Sequence, residues 1–396
     1  MTTPTPRLVL IEPYADRVGG HYRRTLAAVA DAAPGAVIIT PAAVTGWSAR
    51  MLTCCAAGVQ ALAVFGSWVL PSRRWPDRLR RIPHQLGLVR RCLIEAACLR
   101  TVIRRSSSGP VAVVILTASE GLHVLAAVLG GVPHLRFVHE VNTTEDLPLR
   151  LLAALCRCGE SRVGLLCPTE AVRRQVTARF PRLAAMVSTY AVDDGQRLTD
   201  AEISGARAVF GIADDATVVC LAGGWWAHKD VATVDAALTR IRRPLHLLVT
   251  GDPVDHSLLV RWRHLPQVRL HVESGPLPER ALRLVYAAAT ASLVARQAGV
   301  GKESGLVLDA ARLGVPLIVS DHDPDLSGQL AGQDWVRMFP AADATGLAAV
   351  LDRLSDTQPP RPPVSAPKTL GMSTAAEQAA FLTDTATTLL NRGVRR

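Results

Sequence analysis

The chain has 396 residues, of which 49% are hydrophobic and 4% aromatic, and a formal net charge of +10. It is too long for one modest core and too apolar for a disordered chain, so two α/β domains of roughly 150 to 200 residues are expected. The charge is uneven: residues 1–190 hold 23 arginines and no lysine against 11 acids, whereas residues 191–396 carry a net −2. Such asymmetry fits either an anionic partner for the first half, a membrane surface or a phosphorylated substrate, or a solvated arginine-rich face.

The start, MTTPTPRLVLIEPY, does not read as a secretory signal, because its apolar run is short and acids follow at once. RLVLIEP (7–13) reads as a buried strand, VGGHYRRTLAAVADA (18–32) as a glycine turn entering a helix, and AVIIT (36–40) as a second strand. The segment 51–72 carries no charge and is long enough to span a bilayer, but Gln60 and its small or polar breaks argue against a span. It is followed by RRWPDRLRRIPHQLGLVRR (73–91), with seven arginines and a tryptophan. An apolar helix so flanked suits a protein lying on an anionic leaflet; a core helix beside a basic solvated one is the other reading. VAVVILT (111–117), GLHVLAAVLG (121–130), HLRFVHE (134–140) and VGLLCPT (163–169) continue the strand–helix alternation that defines parallel sheets.

A second series begins after the polar stretch 191–215, read as a linker with one short helix. It comprises ATVVCLAGG (216–224), VATVDAALTRI (231–241), LHLLVTGD (245–252), VRLHVES (268–274), ERALRLVYAAA (279–289), ASLVA (291–295) and the run to residue 355. DTQPPRPPVSAPK (356–368) is proline-rich and should be extended, leading to a last helix at 373–393. The expected organisation is a Rossmann-like domain over 1–190, a linker over 191–215, a second Rossmann-like domain over 216–355, and a tail over 356–396 whose helix packs back toward the first domain. Ligands of open parallel sheets bind at the carboxyl ends of the strands, so the cleft between two such domains is the expected site. The eight cysteines form no CxxC pair and no Cys/His set with zinc spacing, so they read as reduced, buried thiols of a cytoplasmic protein.

Only three of the 44 basic residues are lysines, and two of them, Lys229 and Lys302, fall beside glycines. In GVGKESGLVLDAARLGVPLIVSD (299–321), Ser304 before Gly305 reads as a helix N-cap. Free amides and the dipole at such a tip hold phosphate, Lys302 adds charge, and Asp309 one turn in is placed for a ribose hydroxyl. An ordinary capped helix has the same signature. LAGGWWAHKDV (221–231) sets Gly223 and Gly224 before Lys229, which suits backbone approach to an anion or a tight turn with a surface lysine.

In order and spacing, residues 7–355 resemble GT-B glycosyltransferases, especially the retaining family 4 type. AGGWWAHKD resembles the loop that binds the donor diphosphate around Lys229, and LDAARLGVPLIVSD the donor-sugar and ribose motif. LVTGDP (248–253) resembles the family's Gly-containing loop, with Gly251, and ESGPLPERALRLVYAAA (273–289) the loop that meets the nucleobase near Leu277. VGGHYRRTLA resembles the glycine loop facing phosphates and acceptor, with Gly19, Gly20 and His21. FVHE resembles the strand end whose histidine, here His139, touches the donor sugar; CPTEAVRRQV (167–176) resembles the last strand–helix unit of that domain. Glu140 would sit beside that histidine, Trp225 and Trp226 would line the donor pocket or pack on their own domain, and Asn142 and Glu145 would face the acceptor.

The resemblance implies a nucleotide-diphosphate sugar as donor substrate, a hydroxyl acceptor, retention without a protein nucleophile, and no metal or nucleic acid. His139, Lys229 and Glu303 would serve catalysis, with Gly19, Gly20, Gly223, Gly224, Gly251, Leu277, Lys302, Ser304, Gly305 and Asp309 holding the donor. Two departures stand out. Gly224 occupies the position expected to hold a phosphate-binding arginine, for which Lys302 or Arg296 would substitute. Gly301 lies where the first acid of the Glu-x7-Glu motif belongs, with Glu303 only six positions before Asp309. A basic, partly apolar first domain suits lipid-linked glycan or polysaccharide assembly at the inner face of the cell membrane, a small metabolite being the other acceptor. The rivals are a catalytically inactive, membrane-associated relative and an NAD-type enzyme; no GxGxxG follows the first strand to support the latter.

Overall fold

The computed structural model describes residues 6–15, 22–41, 51–53, 77–105, 109–118, 122–139, 157–192, 197–275, 277–301 and 304–394. The chain divides into two units, the first running to Ala191 and taking in the returning segment Ser373–Arg396, the second comprising Val192–Met372.

The first unit is built from β1 (Arg7–Ile11), α1 (Tyr22–Ala32), β2 (Val37–Thr40), β3 (Met51–Thr53), α2 (Asp77–Arg105), β4 (Val111–Ile115), α3 (His123–Gly130), β5 (His134–Phe137), β6 (Val163–Cys167), α4 (Glu170–Arg179) and β7 (Ala184–Val187). Its seven strands form a parallel sheet in the order β3-β2-β1-β4-β5-β6-β7. Central strands read as unbroken apolar runs because helices cover both faces; Leu8 to Ile11 and Val113 to Ile115 are all buried. Met51–Thr53 pairs with β2 as an edge strand, so the uncharged segment is not one continuous helix; its remainder lies outside the described residues. Among the described residues no helix is long and apolar enough to cross a membrane. Cys92, Cys98, Cys167 and Cys220 are buried thiols.

The second unit contains α5 (Asp200–Val209), β8 (Val218–Leu221), α6 (Val231–Leu238), β9 (Leu245–Gly251), α7 (His256–Arg263), β10 (Val268–Ser274), α8 (Glu279–Ala288), β11 (Ala291–Val294), α9 (Gly305–Leu313), β12 (Leu317–Ser320), α10 (Pro324–Leu330), β13 (Val336–Phe339), α11 (Ala344–Arg353) and α12 (Ala366–Thr369). The sheet is again parallel, ordered β10-β9-β8-β11-β12-β13. Period-two alternation sends Val219 and Leu221 into one core with Leu247, Trp262 and Leu351, and Val218 and Cys220 into the other with Leu248, Tyr286 and Leu313.

The stretch expected to be a linker is part of this unit. Leu198, Ala206 and Ile212 are buried in the second core, and Thr199 caps α5 in a reciprocal pair with Glu202. Arg361, in the proline-rich segment, donates to Leu198 O at 2.5 Å and Gly314 O at 3.1 Å. The chain then returns as α13 (Ala375–Val394), which packs on α1, β4 and β5 of the first unit, as the sequence suggests.

Candidate functional site

In the second sheet, β8 and β11 lie side by side although five elements separate them in sequence. Connections leave these two strands toward opposite sides, which opens a crevice at their carboxyl ends, the place where doubly wound sheets take ligands. The loops that frame it are AGGWWAHK after β8 and ARQAGVG after β11.

Backbone hydrogen bonds join the two loops. Asp230 N donates to Ala295 O at 3.1 Å and Gln297 N to His228 O at 3.1 Å, making Lys229 and Arg296 an antiparallel bridge pair. Lys229 is half-buried, and its Nζ donates to Ala222 O at 2.6 Å and Gly223 O at 2.9 Å. Its partners are carbonyls, not a carboxylate. Burial, and then the neighbouring Arg296 guanidinium, push the ammonium down to about 7. Two cations thus stand side by side at the end of a central strand pair, the ammonium of Lys229 on two carbonyls, an arrangement suited to an anion.

The glycines shape this shelf by close backbone packing. Gly223 has φ +78° and Gly251 φ +127°, conformations that suit glycine. A Cβ on Gly224 would lie 2.2 Å from Asp252 O, and one on Gly251 2.3 Å from the Gly223 carbonyl carbon. Gly275 N also donates to Gly251 O, at 3.3 Å, so the loops after β8, β9 and β10 are stitched in a row. Position 224 therefore rejects the expected arginine on steric grounds. Gly224→Ala is expected to cost about 1–3 kcal/mol, as overpacking of a tight interior does. Gly205→Ala, where the space is open inside α5, should gain about 0.5–1 kcal/mol. Urea unfolding of both variants checks the opposite signs.

The tip of α9 adjoins this shelf: a Cβ on Gly223 would sit 3.8 Å from Leu306 Cδ2. Ser304 is buried and is the N-cap, accepting from Val307 N at 3.4 Å. Gly305, the first helical residue, has open space where a side chain would project. Asp309 is buried and bonded through Oδ1 to Arg312 Nε at 2.8 Å, while Arg312 Nη2 reaches Glu279 Oε1 at 2.9 Å. Leu277 is half-buried against the second core. Lys302 and Glu303 lie outside the described residues. Gly223, Gly224, Gly251 and Lys229 thus converge, with Ser304 and Gly305 beside them.

Sequence reasoning missed the support of this site. Ser320, at the end of β12, accepts from Arg296 N at 3.0 Å and donates to Arg296 O at 3.2 Å. His322 turns Nδ1 to Ser320 O at 2.8 Å. A carbonyl only accepts, so Nδ1 carries the proton and Nε2 is a buried acceptor without a hydrogen-bond partner. Burial, then Arg296, lower the His322 pKa. Ser320 lies within the 299–321 stretch and His322 just beyond it, but pattern reading gave neither a role because their partners, apart from each other, come from the loop after β11.

In the first unit, His139 follows β5. Its Nε2 faces Leu116 O at 3.2 Å and must donate there, leaving Nδ1 to accept from the Tyr190 hydroxyl at 2.6 Å. Its ring also stacks on Phe137 and Tyr190. Both ring nitrogens are thus engaged within the unit. Buried Glu12, at the end of β1, accepts from Thr117 Oγ1 at 2.8 Å and Tyr14 N at 2.9 Å, fixing the chain as it enters the next loop. Gly19, Gly20, His21, Glu140, Asn142 and Glu145 lie outside the described residues. Among the described residues no group of three or more His, Cys, Asp or Glu side chains is placed to hold a metal.

No protein-family model matches the sequence, and no curated protein does. Solved structures do match. A glycosyltransferase from Rickettsia africae superposes with a TM-score of 0.61 at 11% identity, over 97% of this chain and 99% of its own. Anabaena HepE in complex with UDP-glucose gives 0.59 at 13%, over 97% and 99%. The N-terminal domain of Candida albicans trehalose-6-phosphate phosphatase gives 0.66 at 9%, over 99% and 98%. Likeness of this extent at such identity establishes the fold: two Rossmann-like units of the GT-B type.

Proposed function

We propose that this protein is a glycosyltransferase that moves a sugar from a nucleotide-diphosphate donor to a hydroxyl acceptor. The observation that carries the reading is Lys229, whose ammonium is held by two carbonyls beside Arg296 at the strand crossover of the second sheet. A diphosphate is an anion that suits the Lys229 ammonium, and the amides at the start of α9 add donors for it. That a structurally similar protein, Anabaena HepE, was solved with UDP-glucose supports a sugar nucleotide as the class of donor.

Chemically, a fixed ammonium and helix tip at the diphosphate stabilise the charge that develops as the sugar–phosphate bond breaks. The leaving phosphate then takes the acceptor proton, giving retention with no metal required by the scheme. Asp309 remains the candidate for the ribose hydroxyls and Leu277 for the base. For the acceptor we favour a glycan carrier at an anionic membrane surface, supported by the net +12 of residues 1–190 and by exposed Arg100, Ile103 and Arg104 on the outer face of α2.

The test is turnover of UDP-, GDP- and ADP-sugars by purified protein, with polyprenyl phosphate or phosphatidylinositol acceptors in anionic and in neutral vesicles. One donor should be consumed, faster with anionic vesicles. Binding of a nucleotide diphosphate without consumption of any donor would leave a nucleotide-binding, catalytically inactive relative. Absence of nucleotide binding would overturn the reading.

A further inference from the structure

We propose that the outer edge of the second sheet pairs with a second copy of this chain, β10 against β10, in a two-fold antiparallel contact. Strand β10, VRLHVES, ends the order β10-β9-β8-β11-β12-β13, and among the described residues no strand pairs with its other side. It is seven residues long, whereas β8, β11 and β12 inside the sheet have four each. Native edges are ordinarily kept short or guarded by proline, lysine or a bulge, and a long edge without them joins another strand.

The register of the ladder decides which backbone groups that edge offers. Gln267 O accepts from Leu245 N at 2.8 Å, and Gly275 N donates to Gly251 O at 3.3 Å. Backbone direction alternates along a strand, so Arg269, His271 and Glu273 bond toward β9, while Leu270 and Val272 turn their N–H and C=O outward. In an antiparallel pair centred on His271, Leu270 of each copy stands opposite Val272 of the other. Each such pair exchanges two N–H···O=C bonds, the geometry that outward-facing residues require.

The side chains suit the same centre. Arg269 and Glu273 are exposed and lie two residues to either side of His271. Rotation about His271 therefore sets Arg269 of one copy against Glu273 of the other, twice, at positions where facing side chains come closest. A guard against association would carry like charges; opposite charges equidistant from the centre make the edge complementary to itself. On the other face Leu270 and Val272 are half-buried against the core of Leu247 and Trp262, and their counterparts would extend that apolar surface across the junction. His271 is held to its own sheet by His246, Nε2 to Nδ1 at 3.1 Å, and meets Phe210 edge-on at 6.2 Å.

The test is sedimentation velocity of the full chain over a concentration series, with amide exchange of residues 268–274. The contact is small, so a weak, concentration-dependent dimer is expected. Arg269→Glu and Glu273→Arg each oppose like charges twice, and each should raise the dissociation constant about tenfold or more. Mixed in equal amounts, the two variants should dimerise again, because an acidic edge then meets a basic one. Damage to the fold would not be repaired by mixing. The chain carrying both substitutions should associate as wild type does. Wild type alone gives a readout that needs no substitution: the Leu270 and Val272 amides should exchange more slowly as dimer forms, and those of Arg269 and His271 should not change. A wild type that stays monomeric up to about 200 μM would overturn the proposal. So would a dimer indifferent to both reversals, a mixture of the two variants that stays monomeric, or a dimer whose Leu270 and Val272 amides gain no protection.

Discussion

Replacing Lys229 with methionine is expected to reduce affinity for the nucleotide diphosphate about 100-fold or more at pH 7, the largest functional effect at this site. A buried ammonium that meets a phosphate makes a charge-assisted contact, and truncating one member of a desolvated charge pair costs about 2–5 kcal/mol. The pH dependence makes the prediction specific. Burial and Arg296 hold the free-state ammonium down to about 7, whereas a bound diphosphate favours its charged form. From pH 7 to 9 the free lysine loses its proton while the nucleotide is already fully ionised. Wild-type affinity should therefore fall by up to tenfold per pH unit in that window, with proton uptake on binding visible as a dependence of calorimetric heat on buffer ionisation enthalpy. Lys229→Met should show neither. The sign for stability runs the other way: the unfolded lysine holds its proton to near 10.5, so unliganded protein gains stability as pH rises from 7 toward 10.5. The methionine variant should lose that rise. Equal affinity and equal pH slope in both proteins would remove Lys229 from the site.

How much of this was legible before the fold depended on the range of the interaction. β-branched and leucine runs of four to seven residues announce the strands, because helices cover both sheet faces and polar alternation is not needed. The lysine at 229 and the cap at Ser304 are local patterns, visible in the residues around them. What is not local was not legible. The collision that keeps position 224 a glycine comes from Asp252, a residue of another loop. His139 reads as a strand-end ligand until Tyr190, 51 residues on, takes its Nδ1. The 191–215 stretch looked like a linker because it is polar and acid-rich, yet Leu198, Ala206 and Ile212 within it are buried in the second core.

The largest effect on stability is expected far from the site, at Glu95. Its carboxylate meets Arg136 at 2.6 Å, and both side chains are 0% exposed. Arg136 also donates through Nε to His123 Nδ1 at 3.1 Å, and His134, whose Nδ1 donates to Val132 O, turns Nε2 toward Nη1 at 3.4 Å. The arginine is thus enclosed by one carboxylate and two imidazoles that must both stay neutral. Burial first, and then Arg136, push His134 down to about 3 and His123 well below its ordinary value. Glu95→Ala strands a guanidinium in an apolar interior and should cost about 3–5 kcal/mol in urea unfolding of the first unit. Replacing both partners by methionine removes the charge with its counter-charge, and should be near neutral or stabilising. That contrast separates an electrostatic cause from lost packing volume, since the double variant disturbs more atoms. The histidines add an acid limb. Each takes up a proton on unfolding below pH 6.5, so each removes about 1.4 kcal/mol of stability per pH unit, for His134 down to its folded value near 3. Removing Arg136 relieves the smaller of the two causes and leaves burial, so the double variant should keep most of this slope. A double variant as unstable as Glu95→Ala would show that the pair is needed for shape, and that the buried charge is not what makes the single substitution costly.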